Sequence, residues 1–450
     1  MDGNVAPPLA ADFEAWLGRE YRYAITAMFR SVSAVDLVKQ RPGFGHSIRP
    51  VKGSIIASPV MASYDPDPDY FFHWFRDSAV VIDAIRLLHE DRVLGEEALS
   101  HFQDFVRFSL SLRMLDGREL VKAPAWRDGA IESFKQYLRD DADLGAVLGA
   151  RVYGDTRVNP NGTLDISKWA RPQHDGPPLR ALAVLRWIRN VSMPAALLSE
   201  AAELAREDLA FTHAHWHEPS FDIWEEEQGE HYYTLCVAEA ALREGAEWLH
   251  STGNHALTSA YRETAAGIRG KLDGFWREQA GHYSSRVLTS GAKSTKELDI
   301  ALILAAVHVA GDAPRHSVRD PRMHATLARL EALFDVAYPI NHQRPAGRGP
   351  AMGRYAGDVY YSGGAYFFST LGAAEFCFLA AKSERDAKSW FARGDAYLAT
   401  VRAYTGPEGD LSEQFDQRTG EQTSARHLAW SYAAFISTLA ARRAARAAIR

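Results

Sequence analysis

Apolar positions step by three and four along most of this chain. Leu235, Ala238, Leu242, Gly245 and Leu249 make one such stripe, and Val81, Ile85 and Leu88 another. That spacing puts one apolar face on a helix, whereas long alternating β-branched runs are scarce. Start and stop signals divide the pattern into twelve helices, at about 13–31, 77–90, 95–114, 177–190, 194–213, 231–251, 254–277, 296–311, 321–336, 364–382, 384–404 and 424–447. The chain therefore reads as all-α.

Short links at 191–193, 252–253 and 383 alternate with longer polar and aromatic segments. Six of these stand out, around 58–77, 115–176, 214–230, 278–299, 337–366 and 405–427. Each runs into an apolar helix. Asp77-Ser78, Asp175-Gly-Pro-Pro178 and Ser424 read as N-cap or N1 signals at three of these entries. Six helical hairpins can close into a double-layered (α/α)6 barrel with all six long segments at one rim, where function usually sits. An open helical solenoid has the same local pattern. No linker divides the chain, so residues 1–450 are expected to form one domain. The 115–176 segment is long for a loop inside a compact domain, and its Trp126 and Trp169 favour a functional role.

Composition narrows the function classes. Hydrophobic residues are 46% of 450, ample for a large core, and Lys+Arg 51 against Asp+Glu 57 gives a net charge of −6. No basic block points to nucleic acid; Arg442, Arg443, Arg446 and Arg450 read as cations at the negative end of a last helix. Cys236 and Cys377 lie in apolar runs and read as buried free thiols. Met1–Pro8 lacks the basic and apolar regions of a signal peptide, and no stretch approaches 18 apolar residues. A cytoplasmic protein without a membrane span is expected.

Candidate chemistry lies in the long segments. Phe221-Asp-Ile-Trp-Glu-Glu-Glu-Gln-Gly-Glu-His-Tyr-Tyr-Thr234 packs five carboxylates among Trp224, Tyr232 and Tyr233. A carboxyl held against an indole is desolvated, which favours its protonated form. Glu413, between Ser412 and Gln414, sits in the last segment. Taken singly, each Glu reads as a surface residue. Facing one pocket, Glu225 and Glu413 would suit glycosidic hydrolysis, one protonating the leaving oxygen and the other activating water. Arg76-Asp77 at a helix entry offers donors and an acceptor together, as neighbouring sugar hydroxyls require; the alternative is a structural ion pair. Tyr70, Phe71, Phe72 and Trp74 precede it, and small-molecule pockets are commonly aromatic-lined. Arg171 after Trp169, and Arg354 before Tyr360-Tyr361, repeat the theme. His213, His215 and His217 alternate, but read better as a solvated loop than as metal ligands. No zinc-ligand spacing, Walker loop or nucleophile elbow is present, so neither metal nor organic cofactor is expected.

In order along the chain, these strings resemble the glucoamylase family, glycoside hydrolase family fifteen. They are Ala57-Ser-Pro59 with Trp74-Phe-Arg-Asp-Ser78, Arg171-Pro-Gln173 with Asp175-Gly-Pro177, Asp222-Ile-Trp-Glu-Glu226, Gly353-Arg-Tyr355 with Tyr360-Tyr361, and Ser412-Glu-Gln-Phe-Asp416 with Ser424-Ala-Arg426 and Trp430-Ser-Tyr432. The resemblance runs from about Ile55 to Tyr432. It implies an (α/α)6 barrel that releases β-glucose from non-reducing ends by inversion. Glu225 would be the general acid and Glu413 the general base. Arg76, Asp77 and Arg354 would hold the terminal glucose, and Tyr70, Trp74, Trp169 and Trp430 would wall it. Asp222 and Glu226 would support the acid and the next sugar, with Arg171, Trp224, Tyr355 and Tyr366 completing the binding set. Trp224 and nearby carboxylates would keep Glu225 protonated, while Glu413 stays ionised.

His73, His174 and Gly364-Ala-Tyr366 depart from the family pattern near the pocket, leaving α-1,4 and α-1,6 linkages both open. No starch-binding module follows the last helix, so small soluble oligosaccharides are the expected partners. Isomaltose, dextran-derived sugars or trehalose are alternative substrates, and a non-catalytic carbohydrate-binding relative is the alternative class.

Overall fold

A computed structural model describes residues 8–63, 66–311, 313–382 and 386–449; of residues 8–11 it describes only the backbone. The signal-peptide reading of the first eight residues, the link at 383 and the cation Arg450 fall essentially outside these. Twelve helices of nine or more residues are present among the described residues: Pro8–Phe29, Phe75–Glu90, Glu97–Ser111, Gly176–Asn190, Ala195–His215, Tyr232–Ser251, His255–Asp273, Ala301–Val309, Pro321–Ala337, Phe367–Ala381, Ala387–Tyr404 and Ala429–Ile449. They alternate between two layers. The second member of each successive pair is inner, and its neighbours in that layer pack beside it, as 75–90 does against 176–190 and 429–449. This is a double-layered α-barrel rather than an open solenoid. The six long segments all lead from an outer helix to an inner one, so they share one rim.

Buried apolar residues fill the space between the layers. Phe102 of an outer helix stacks on Trp187 of an inner one, centroids 4.4 Å apart. Gly245 belongs to an apolar stripe for a steric reason: a Cβ there would lie 2.6 Å from Leu209 Cδ1. Arg180 and Asp208, both fully buried, join the layers through two parallel bonds, Nε to Oδ2 at 2.8 Å and Nη2 to Oδ1 at 2.7 Å. A desolvated charge pair holds only with such bidentate geometry. Cys236 and Cys377 are free and buried.

Helix boundaries shift where side chains have other work. Trp276–Arg277, expected as helix, pairs with His282–Tyr283 as a short strand. The helix expected from 296 begins at Ala301, because the Asp299 carboxylate accepts the Ala301 N–H at 2.8 Å. Of the three cap signals, the one at Asp175-Gly-Pro-Pro178 marks a helix start and the other two do not. Asp77 lies in the first turn of a helix that starts at Phe75. Asp175 stands at the N-cap position but makes no side-chain cap; it accepts from Arg76 instead. Ser424 precedes its helix by several residues, and its hydroxyl donates to Glu413. His213 and His215, expected in a loop, are in the last turn of the 195–215 helix.

No described helix is long and apolar enough to cross a membrane. Short strands of two to four residues stitch the rim. Ala365–Tyr366 pairs with Gln414–Phe415, which pairs with Gln422–Thr423. His73–Trp74 pairs with Arg157–Val158, and Ser220–Phe221 with Gln228–His231. The 115–176 segment folds onto the rim through short helices at Gly117–Lys122 and Asp141–Ala146 and through buried ion pairs, among them Arg139–Asp155 at 2.9 Å and Arg171–Asp155 at 2.8 Å.

Candidate active site

The rim encloses a cavity of about 240 Å³, lined by Ala57, Tyr70, Trp74, Arg76, Asp77, Trp169, Ile223, Trp224, Glu225, Glu226, Arg354, Tyr360, Phe368, Glu413, Leu428 and Trp430. It lies at the N-terminal ends of the inner helices, whose partial positive charge favours anionic groups. Its floor is the Phe368–Trp430 ring pair, 4.3 Å between centroids and 7° from parallel.

Glu225 stands at the tip of the 220–231 hairpin. Asp222 builds that tip: its carboxylate accepts the N–H of Trp224 at 2.7 Å and of Glu227 at 2.9 Å, and its carbonyl accepts the Glu225 N–H at 2.9 Å. Arg286 binds Asp222 and Glu227 from behind. The tight turn places Glu225 at φ 64°, a conformation a non-glycine residue keeps only under compulsion. Its Oε1 accepts from Trp74 Nε1 at 2.8 Å and Arg76 Nη2 at 3.2 Å, and its Oε2 accepts from Trp169 Nε1.

Glu413 enters from the other side. Its N–H donates to the Ala425 carbonyl at 2.8 Å, and its carbonyl accepts from Phe367 N–H at 3.2 Å. Its carboxyl is 8% exposed and is met by Ser424 Oγ and, at 3.2 Å, by Tyr70 Oη. Tyr70 also shares a 2.9 Å hydroxyl contact with Tyr360. Burial pushes the Glu413 carboxyl up to about 7, against the pull of Ser424, Arg354 and Tyr70. The Trp224 indole, which the sequence set beside Glu225, donates to Asp299 at 2.8 Å, and its ring stacks towards Phe368.

Burial likewise raises Asp77 to about 6 despite Arg76, whose Nη2 is 3.8 Å away; Asp175 then holds Arg76 at 3.1 Å. Glu226 is gripped by Arg354 at 3.0 Å, Lys296 at 2.7 Å and Tyr355 Oη. Arg354 is in turn fixed by Asp358 at 2.7 Å.

Of the fifteen residues proposed from the sequence, eleven meet in this cavity. Arg171, Asp222, Tyr355 and Tyr366 stand behind its wall. Arg171 is spent on Asp155 and Asp165, Asp222 on the turn, Tyr355 on Glu226, and Tyr366 accepts from Gln414 at 2.7 Å. His73 and His174 do not line it: both are buried against phenylalanine rings, and desolvation lowers them to about 3 and about 4. Tyr360, Phe368 and Ser424 were missed as site residues. The Tyr360-Tyr361 doublet after Arg354 was a usable signal; Phe368, in an apolar helix start, gave none.

Ser424→Ala removes a donor to the ionised form of Glu413. If Glu413 must be ionised, the acidic limb of kcat/KM lies near pH 7 in the wild type. It moves to higher pH in Ser424→Ala, as a pH–rate profile reads directly.

A blind pocket in a helical barrel, walled by aromatic rings and flanked by two carboxyls, defines a glycoside hydrolase. The family model of glycosyl hydrolases family 15 matches residues 44–440, and the chain belongs to that family. A probable glucoamylase of Schizosaccharomyces pombe is 28% identical over 439 residues, covering 88% of this chain and 86% of the relative. Glucoamylase 1 of Rhizopus oryzae is 26% identical, covering 85% of this chain and 66% of the relative. Among solved structures, the Hormoconis resinae glucoamylase superposes with a TM-score of 0.73 at 25% identity, covering 95% of this chain and 73% of that one. The Saccharomycopsis fibuligera glucoamylase shares the fold, with a TM-score of 0.76 at 20% identity and coverage of 97% and 96%.

Proposed function

We propose that this chain is a single catalytic domain that hydrolyses α-glucosides from the non-reducing end, with inversion, acting on α-1,4 or α-1,6 gluco-oligosaccharides. The observation that carries this reading is the pair Glu225 and Glu413 flanking a pocket that ends at Phe368 and Trp430. A closed floor admits a chain end and excludes the middle of a chain, so cleavage is exo. Arg76, Asp77 and Arg354 take hydroxyls of the terminal ring. Tyr70, Trp74, Trp169 and Trp430 pack its C–H faces.

Glu225 gives its proton to the glycosidic oxygen as the C1–O bond breaks. A water attacks C1 from the opposite face and passes its proton to Glu413. One water is consumed, and the sugar leaves as the β-anomer. Inversion requires the carboxyls about 6.5–9.5 Å apart, against about 5–5.5 Å for retention. The two carboxyls are held by separate donors, and the anomer released decides between the two spacings. Glu225 is held by Trp74 and Glu413 by Tyr70, two rings whose centroids are 5.2 Å apart, and no hydrogen bond joins the carboxyls among the described residues.

The reading is tested with maltose, isomaltose and trehalose, following glucose release by proton NMR. Early signal is expected from β-glucose, before mutarotation. Early α-glucose would remove the inverting assignment, and the panel would show which linkage is cut.

A further inference from the structure

The two indoles that bind Glu225 rest on one buried cation that the catalytic scheme does not use. Backbone pairing sets Arg157 directly opposite Trp74 in the His73–Trp74 and Arg157–Val158 ladder. Its guanidinium carbon lies 3.6 Å from the Trp169 ring centroid, 4.7 Å from Trp74 and 3.9 Å from Phe72. Arg157 is 2% exposed. Nε bonds Asp165 at 2.9 Å and Nη2 reaches Ser167 at 3.3 Å, while Nη1 is buried without an acceptor. Much of what this charge meets in exchange for its hydration is aromatic face.

We propose that Arg157 is a positioning residue for the proton donor, acting through Trp74 and Trp169. The inference rests on the reading of Glu225 as the acid. Trp169 sits at the mouth of the pocket and is 40% exposed, so its own packing does not fix the direction of its N–H. A cation over the ring does so, because attraction to the indole face is strongest for Trp and grows when the charge is desolvated. Asp165 supplies the rigidity: Arg171 holds it at 2.8 Å, so Arg157 cannot follow a wandering ring. The ladder, the ion pairs and the ring stack together form a chain from the 115–176 segment to the Glu225 oxygens. This gives that long segment a function beyond contributing one wall residue.

The test is a kinetic cycle. Arg157→Met keeps length and loses charge; Arg157→Lys keeps charge and loses the plane. For the best disaccharide, Arg157→Met is expected to lower kcat about tenfold or more with KM within about twofold, since the donor is misaimed rather than the sugar unbound. Arg157→Lys recovers most of that loss. In a Trp169→Ala background the Arg157→Met substitution costs markedly less, because the two side chains act as one unit. Thermal unfolding midpoints check each variant, and if Arg157→Met does not fold, Arg157→Gln, which also removes the charge, takes its place in the cycle. A rise in KM with kcat intact, a Lys variant as poor as Met, or an unchanged cost in the Trp169→Ala background would each overturn the inference alone. A folded wild type inactive on every α-glucoside would overturn the hydrolase reading and the inference with it.

Discussion

Glu413→Gln is expected to lose hydrolysis by about a thousandfold while making the protein harder to unfold. The loss follows from the chemistry. An amide cannot take a proton from the attacking water, and general base catalysis supplies about 10²–10⁴ in rate. The gain in stability follows from burial. Glu413 titrates near 7 in the folded chain and near 4.5 when unfolded, so the folded state binds its proton more tightly. The carboxyl therefore costs nothing below pH 4.5. Its cost grows as pH rises from there to about 7, and stays constant above. Gln pays no such cost. The expected gain is of order 1–3 kcal/mol above pH 7, discounted because the hydroxyls of Ser424 and Tyr70 must reorient around an amide. Melting curves at pH 4 and pH 8 decide it. The unfolding midpoints of wild type and variant should coincide at the lower pH and separate by several degrees at the higher. Equal midpoints at both would show that burial does not strain this carboxyl.

Glu225→Gln should separate the two carboxyl roles. On maltose or isomaltose the expected loss is about 10²–10⁴, because the leaving alkoxide finds no proton. On α-glucosyl fluoride, whose fluoride departs unprotonated, the variant should keep rates within about tenfold of wild type. Glu413→Gln should fail on both substrates, since water still needs its base. The site tolerates the substitution. An amide oxygen at Oε1 still accepts from Trp74 and Arg76, so two of the three bonds to this side chain survive and only the one from Trp169 is lost. Equal losses on fluoride and disaccharide would take the acid role away from Glu225. Equal losses by both variants on both substrates would point to a structural effect.

Much of this site was readable before any coordinates. Strings such as Trp74-Phe-Arg-Asp77 and Asp222-Ile-Trp-Glu-Glu226 combine rings, forks of donors and carboxyls in a density that a solvated surface has no reason to carry. Cap signals were a mixed guide: Asp175 does stand at the start of a helix, whereas Ser424 does not. Asp175 and Ser424 look like helix starts because short polar side chains satisfy orphan N–H groups there. In the folded chain both are diverted, Asp175 to Arg76 and Ser424 to Glu413. Those partners lie 99 and 11 residues away, and local pattern carries no information about them.

Arg171 and Tyr355 erred in the opposite direction. Their neighbours in sequence line the pocket, but their own side chains turn to Asp155 and Glu226 and serve the wall from behind.

The sequence by itself determined the twelve helices and their alternation with long polar segments, because periodicity and composition are local properties, and its resemblance to a family proposed the two carboxyls. Only the tertiary structure decided how deeply Glu413 is buried, which rings form the floor and which cation backs the indoles. Those outcomes depend on what closes over a side chain from other helices. Glu413 and Arg157 meet their environments only when rim segments far apart in sequence come together, Tyr70 against Glu413 and Trp74 against Arg157.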